Sequence, residues 1–209
     1  MVFVNNHDNQ RGHGGGGDQI LTFRVPRLYK MAAAFKLAWP HGFTRIMSSY
    51  NWPQDIQNGH DNNDWIGPPH DSNYNIISPT FGADGACQGD WVCEHRWRQI
   101  YNMEQIYNIQ ENRSRRGPPG TNVNDWWDNG NNQIAFCRGN KGFIAINNDG
   151  YDLKKTLQVS MYCDVISGNV ENGSCTGKTV TVGTNGLAYI DPKTSDHDGV
   201  LAMHAEAKL

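Results

Sequence analysis

Met1-Val-Phe-Val-Asn-Asn-His-Asp8-Asn-Gln-Arg-Gly-His-Gly-Gly-Gly-Gly17 decides how this chain is read. Three apolar β-formers, Val2, Phe3 and Val4, run into Asn6, His7, Asp8 and Arg11, and then into a glycine-rich loop. That order predicts a buried parallel strand delivering polar chemistry at its C-terminal end, where α/β barrels and open α/β sheets keep their sites. A buried strand opening at residue 2 has no preceding element to pair with, so the sequence reads as cut from something longer.

Outward from this strand, Ile20 to Trp39 carries a helical pattern, with Pro26 suited to a first-turn position and Leu28, Met31, Ala32, Phe35 and Ala38 or Trp39 on one face. Pro40 ends it. Gly42–Tyr50 then reads as a second strand, which makes the opening a βαβ unit. Residues 51–92, rich in Asn, Asp and Pro, form a long loop of the kind that usually serves function. Helical spacing returns over Glu94–Ile109, and Gln110–Thr121, with its three arginines and Pro118-Pro119-Gly120, is the clearest linker.

Beyond the linker the texture changes. Gln133–Cys137, Gly142–Asn147, Thr156–Ser160, Lys178–Val182, Leu187–Ile190 and Val200–Ala205 are short runs separated by turn signals such as Asn129-Gly130, Asp149-Gly150 and Asn185-Gly186. Such spacing predicts an all-β sandwich or barrel. The boundary is placed near residue 120, giving an α/β part over 1–120 and an all-β domain over 121–209. The first part is too short to close a (β/α)₈ barrel of about 250 residues.

Composition narrows the function. The chain has 209 residues, 18 Lys+Arg against 21 Asp+Glu, a formal charge of −3 and 37% hydrophobic residues. It lacks the basic stripe that nucleic acid would need and any apolar run of the roughly 18–20 residues that cross a membrane. No signal peptide opens it. Seven tryptophans and eight tyrosines suit stacking on sugars as well as filling a core. Cys87 with Cys93 and Cys163 with Cys175 read as short-range disulfides of a secreted protein, since neither pair has zinc-site spacing. Cys137, in an apolar strand pattern, is expected to be a buried free thiol. Asn112-Arg-Ser114 and Asn172-Gly-Ser174 are glycosylation triplets.

Phe3-Val-Asn-Asn-His-Asp8 closely resembles the fourth signature region of the α-amylases, glycoside hydrolases that cut α-1,4-glucans. Asn9–Gly17, Gly42–Tyr50, Asp64-Trp-Ile-Gly-Pro-Pro69, Trp91–Trp97, Trp126–Gly130 and Tyr162–Gly168 are similar to the animal enzymes, the insect form in particular. The resemblance implies the C-terminal portion of a TIM barrel, strands seven and eight with their helices, followed by a Greek-key β-sandwich domain. It also implies roles for individual residues. Asp8, which in isolation suits a helix cap, matches a catalytic carboxylate that stabilises the transition state, and His7 and His13 match substrate-binding histidines. Asn6 and Arg45 match chloride-binding residues; an arginine buried at such a strand position needs an anion, which a carboxylate would equally supply. Gly12–Gly17 matches a mobile loop over the cleft.

By the same resemblance, the nucleophile, the acid/base, a further chloride-binding arginine and the calcium ligands lie upstream of residue 1, so this chain alone is expected to be inactive. The parent is expected to be a secreted, extracellular, monomeric, chloride-activated and calcium-containing endo-enzyme acting on α-glucan polysaccharide, without nucleic-acid or membrane partners. A catalytically silent relative that binds carbohydrate or protein is the alternative. Three departures stand out: Asn5 in place of an acidic residue, a long Asn112–Val123 linker, and a short segment between Val159 and Tyr162.

Overall fold

A computed structural model describes residues 1–16, 19–110, 122–158, 162–181, 183–185 and 187–209. The expected linker core and the boundary near residue 120, the Asn112 triplet, the shortened 159–161 segment, Gly17 and the Gly186 half of the Asn185-Gly186 turn lie outside them. The described chain forms two compact units, Met1–Tyr29 with Gly42–Trp97, and Lys30–His41 with Arg98–Leu209.

In the first unit the parallel pairing is present but minimal. Val2 bridges Thr44 in parallel: the Val2 N–H donates to Phe43 O at 2.8 Å and the Arg45 N–H to Val2 O at 2.9 Å. The expected continuous strands over 2–4 and 42–50 are therefore corrected to a single bridge. Phe3 is exposed and Val2 and Val4 are only half-buried. One neighbour leaves most ladder groups unpaired and both faces open, so a continuous strand has nothing to stabilise it. Farther along, Tyr50 bridges Trp91 antiparallel, and the long loop contains a small hairpin of β1 (Ile56–Gln57) and β2 (His60–Asp61). The Cys87–Cys93 disulfide is formed.

Helix α1 spans Pro26–Ala38. Its start at proline follows from the fixed φ and missing N–H, which cost nothing in a first turn; the expected helix from Ile20 is thus corrected to begin six residues later. Helix α2 is Arg98–Gln110, and the residues expected to open it, Glu94–Arg96, form a separate 3₁₀ turn ended by extended Trp97.

The β-rich unit is built on an antiparallel sheet with strand order β12-β5-β4-β3, where β3 is Val123–Asp128, β4 Gln133–Arg138, β5 Gly142–Asn147 and β12 Val200–His204. Its register places Trp127 opposite Ala135, Ala135 opposite Ala145, and Ala145 opposite Leu201. That face continues through Cys137, Phe143 and Met203, and packs with Leu153, Val180, Ala188 and Ile190. These last residues come from the loop before β6 (Lys155–Gln158), from β10 (Thr179–Val180) and from β11 (Leu187–Ile190). β11 pairs β6, and β10 pairs β7 (Tyr162–Cys163), so two small sheets cover the large one as in a sandwich. On the opposite face Phe136 lies 5.4 Å from Trp39 and 5.8 Å from Trp126, ring to ring. Cys137 is buried and unpaired as expected, and burial pushes its thiol up to about 11. The Cys163–Cys175 disulfide is formed beside the hairpin of β8 (Val170–Glu171) and β9 (Ser174–Cys175).

Two helix residues are locked onto the segment just before β12. Lys30 Nζ donates to Asp198 Oδ1 at 2.7 Å, and Gln99 Nε2 to Asp198 Oδ2 at 2.9 Å, with the Lys30 and Asp198 side chains 9% and 11% exposed. Burial alone would raise the Asp198 pKa, but hydrogen bonds from Lys30, Gln99 and His197 outweigh it and hold the carboxyl below the usual range. Asp198→Ala, which leaves Lys30 buried without its partner, is expected to cost about 3–5 kcal/mol in urea unfolding at neutral pH. Because the folded pKa is depressed, this contribution is complete above about pH 4 and is lost as pH falls through the folded value. The variant should lack that acid limb.

Candidate functional site

The residues between Asn5 and His13 fold as a 3₁₀ turn, Asn9–Arg11, closed by Gly12 in the left-handed region. Its cap is not the residue that sequence alone favours. Asn6 Oδ1 accepts the N–H groups of Asp8 at 3.1 Å and Asn9 at 2.8 Å, and Asn9 Oδ1 accepts the Asn6 N–H at 2.7 Å. This reciprocal pair satisfies the turn's free donors. Asp8 makes no side-chain cap hydrogen bond; its carboxylate is 58% exposed and lies 3.3 Å from His7 Nε2, itself 78% exposed. Asp8 and His7 therefore stand together, facing outward.

Asn6 spends its acceptor on the backbone and keeps its Nδ2 donors for other partners. Arg45 is exposed, with its guanidinium 5.8 Å from the Phe43 ring centre. The expected burial of Arg45 is corrected: the single parallel bridge beneath it builds no layer to cover it. Asn5 is buried, and neither polar atom of its amide has a hydrogen-bond partner.

What holds this turn in place is long-range and was missed from the sequence. Arg11 is buried; its Nη1 donates to Asn63 O at 3.3 Å and Asp64 O at 3.0 Å, its Nη2 to Tyr50 Oη at 2.8 Å, and its guanidinium lies 4.0 Å from the Trp52 ring. Asp61, fully buried, accepts Trp52 Nε1–H at 2.6 Å and the N–H groups of Asp55 and Asn63, which fixes the hairpin that Arg11 grips. Gly12 completes the fit. A Cβ there would fall 2.2 Å from Gly59 O and 2.6 Å from His60 Cα, so any larger residue would push the turn off the hairpin. His13 consequently lies 2.7 Å from Asp64 Oδ2 through its Nε2.

On the turn's other side, Glu94 is fully buried, accepting the Ser49 N–H at 2.6 Å and facing Ser49 Oγ, which also faces Gln10 Oε1 at 3.2 Å. One hydroxyl hydrogen cannot serve two acceptors. Either a protonated Glu94 that donates to Ser49 Oγ or a turned Gln10 amide that donates through Nε2 resolves this. Burial raises the Glu94 pKa against the opposing hydrogen bonds from Ser49, which favours the first.

With this geometry in view, comparison with known proteins is informative. Residues 124–206 match the α-amylase C-terminal all-β domain. Over its whole length the chain is 53% identical to an α-amylase of Oryzias latipes and to pancreatic α-amylase of Homo sapiens. It superposes with a TM-score of 0.82 on α-amylase I from Eisenia fetida, both the wild type and a mutant in complex with maltohexaose, at 44% identity over 98% of this chain. Along its whole length the chain is similar to the animal α-amylases. It spans about 40% of the length of the relatives it matches. The all-β part thus matches the α-amylase C-terminal all-β domain, as expected, and the α/β residues before it are similar to the same relatives.

For Glu94 the folded pKa lies above the unfolded one, so its stabilising contribution is present below about pH 4 and is lost as pH rises through the folded value. Glu94→Gln keeps a donor toward Ser49 Oγ and an acceptor for the Ser49 N–H. We expect the variant to gain on the wild type as pH rises from about 4 to neutrality, in denaturant midpoints measured across that range. Parallel pH profiles would show that the buried carboxyl carries no proton.

Proposed function

We propose that this chain carries the cleft-side end of a retaining, endo-acting α-amylase that hydrolyses internal α-1,4-glucosidic bonds of starch and glycogen. The observation that carries the reading is the division of labour at the Asn9–Arg11 turn: Asn6 caps the turn, and the Asp8 carboxylate is left outward without a cap hydrogen bond. The reaction develops positive charge at the anomeric carbon, and a carboxylate fixed beside that atom lowers the barrier. Asp8 fills this role, and His7 and His13, both exposed, bind sugar hydroxyls. Trp65, 76% exposed beside Asp64, offers a flat apolar ring to a sugar face.

Asn6 Nδ2 and the Arg45 guanidinium are both donors, the chemistry that an anion wants, and they fit a shared chloride with a further arginine from the rest of the protein. A chloride near the proton-donating glutamate disfavours its ionisation and keeps the acid protonated. The His, Cys, Asp or Glu grouping among the described residues that could take a metal, His13, His60 and Asp64, is nitrogen-rich, whereas calcium takes six to eight oxygens. We place that ion elsewhere in the whole protein. The two disulfides support an extracellular enzyme. None of the described helices is long and apolar enough to cross a membrane. We take the whole enzyme to be monomeric.

A retaining glycosidase needs a nucleophile and an acid/base about 5 Å apart. We assign both to the remaining length of the enzyme, so the purified 209-residue chain should release no reducing sugar from starch. In the whole enzyme, Asp8→Asn should lower kcat by about 10²–10³-fold or more while the protein stays folded. Turnover within a few-fold of wild type would end this assignment. Arg45→Gln should abolish the stimulation by chloride, read as activity with and without the salt.

A further inference from the structure

His13, His60 and Asp64 carry a second site. Their ligand atoms all lie within 4.8 Å of one another, and both imidazoles aim Nε2 at the same oxygen: His13 Nε2 is 2.7 Å and His60 Nε2 3.3 Å from Asp64 Oδ2. The two rings meet edge to face with centroids 4.6 Å apart. An ion with bonds of about 2.0–2.2 Å to nitrogen and oxygen sets tetrahedral ligand spacings of about 3.4 Å. Two of the separations, 2.7 Å and 3.3 Å, already lie within an ångström below that value.

This convergence is built, not a chance meeting of surface side chains. His13 and His60 come from segments separated by the whole of α1, and three features of the packing bring them together. The first is the Gly12 backbone seated on Gly59–His60, with no room for a Cβ. The second is the Arg11 guanidinium tied to the carbonyls of Asn63 and Asp64. The third is the Asp61 carboxylate, which fixes the turn between His60 and Asp64 through the Asn63 N–H at 3.0 Å. All three ligands remain accessible, the histidines each 48% and Asp64 28% exposed at the side chain, so an ion can enter and a water can fill the open position.

We propose that His13, His60 and Asp64 form a binding site for a divalent transition-metal ion of the zinc class, bridging the glycine loop to the β1–β2 hairpin. Two imidazoles and one carboxylate with an open position suit zinc, nickel or copper and not the hard, oxygen-seeking calcium or magnesium. The inference stands on these three residues and does not depend on the catalytic reading of Asp8.

Zinc titration of the chain by calorimetry, in competition with a chromophoric chelator, tests it. The wild type should take up one zinc per chain with saturation, nickel should compete, and excess calcium should not. His60→Asn, an exposed substitution that keeps the backbone pairing of the hairpin, should weaken that binding by about tenfold or more, and His13→Asn should do the same. Thermal unfolding without metal confirms that each variant is folded. In the wild type, zinc should raise the melting temperature, and in the variants it should not. Absence of saturable zinc uptake by the wild type, or uptake undiminished in both folded variants, would overturn the site.

Discussion

A guanidinium taken out of water must find as many acceptors as it loses, and Arg11 finds them in backbone and aromatic groups. Two carbonyls, one tyrosine hydroxyl and the face of Trp52 surround it. The counter-charge arrives one step removed: Asp61 holds the Trp52 indole N–H, and the Arg11 charge is among the influences that keep the Asp61 carboxyl low against its burial. Each partner is fixed by another buried group, so removing one leaves the next unsatisfied. The turn bearing Asp8 therefore has one position relative to the hairpin bearing His60 and Asp64. Everything said of the site depends on that.

The β-rich unit solves a different problem. Its central strands, β4 and β5, are buried along nearly all of their length, which is unusual for antiparallel strands with one wet face. The register explains it: odd positions of β4 meet the small sheets, while Phe136 meets Trp39 and Trp126. Trp126 and Trp127 face opposite ways as successive strand residues do, and the bulge before them, where Asp125 takes a positive φ and the register shifts between Asn124 and Trp127, sets which face each one takes. Trp127 then joins one core and Trp126 the other.

Local signals were legible and distant ones were not. Pro26 marked the first turn of α1, and Leu187–Ile190 appeared as a strand with its observed limits, because first-turn proline and apolar alternation are properties of neighbouring residues. The β3 strand escaped notice because its alternation is broken by the bulge. The β8–β9 hairpin was missed although Asn172-Gly173, both at positive φ, is the dipeptide such two-residue turns demand. Read first as a glycosylation triplet, it carried a plainer structural message. Of the proposed site, Asp8, His7 and His13 were singled out by the resemblance alone, whereas Arg11, Ser49, Glu94 and Asp61 were not given structural roles. Their partners lie tens of residues away, and no periodicity encodes such a pairing.

The cap at the strand end shows why a resemblance and a physical reading can disagree about one residue and both be useful. By propensity, Asp8 is the natural cap: it directly precedes the turn, and aspartate there accepts backbone N–H groups. A capping carboxylate, however, is neutralised in part by the donors it accepts and is held against the backbone. Such a group is poorly placed to meet a charge developing on a ligand. Asn6 removes the conflict. Its neutral amide oxygen takes both N–H groups, and Asn9 returns a bond to Asn6, so the turn is closed without the acid. In the proposed chemistry the asparagine matters as much as the aspartate, since with Asn6 in the cap the Asp8 carboxylate accepts no backbone N–H of the turn.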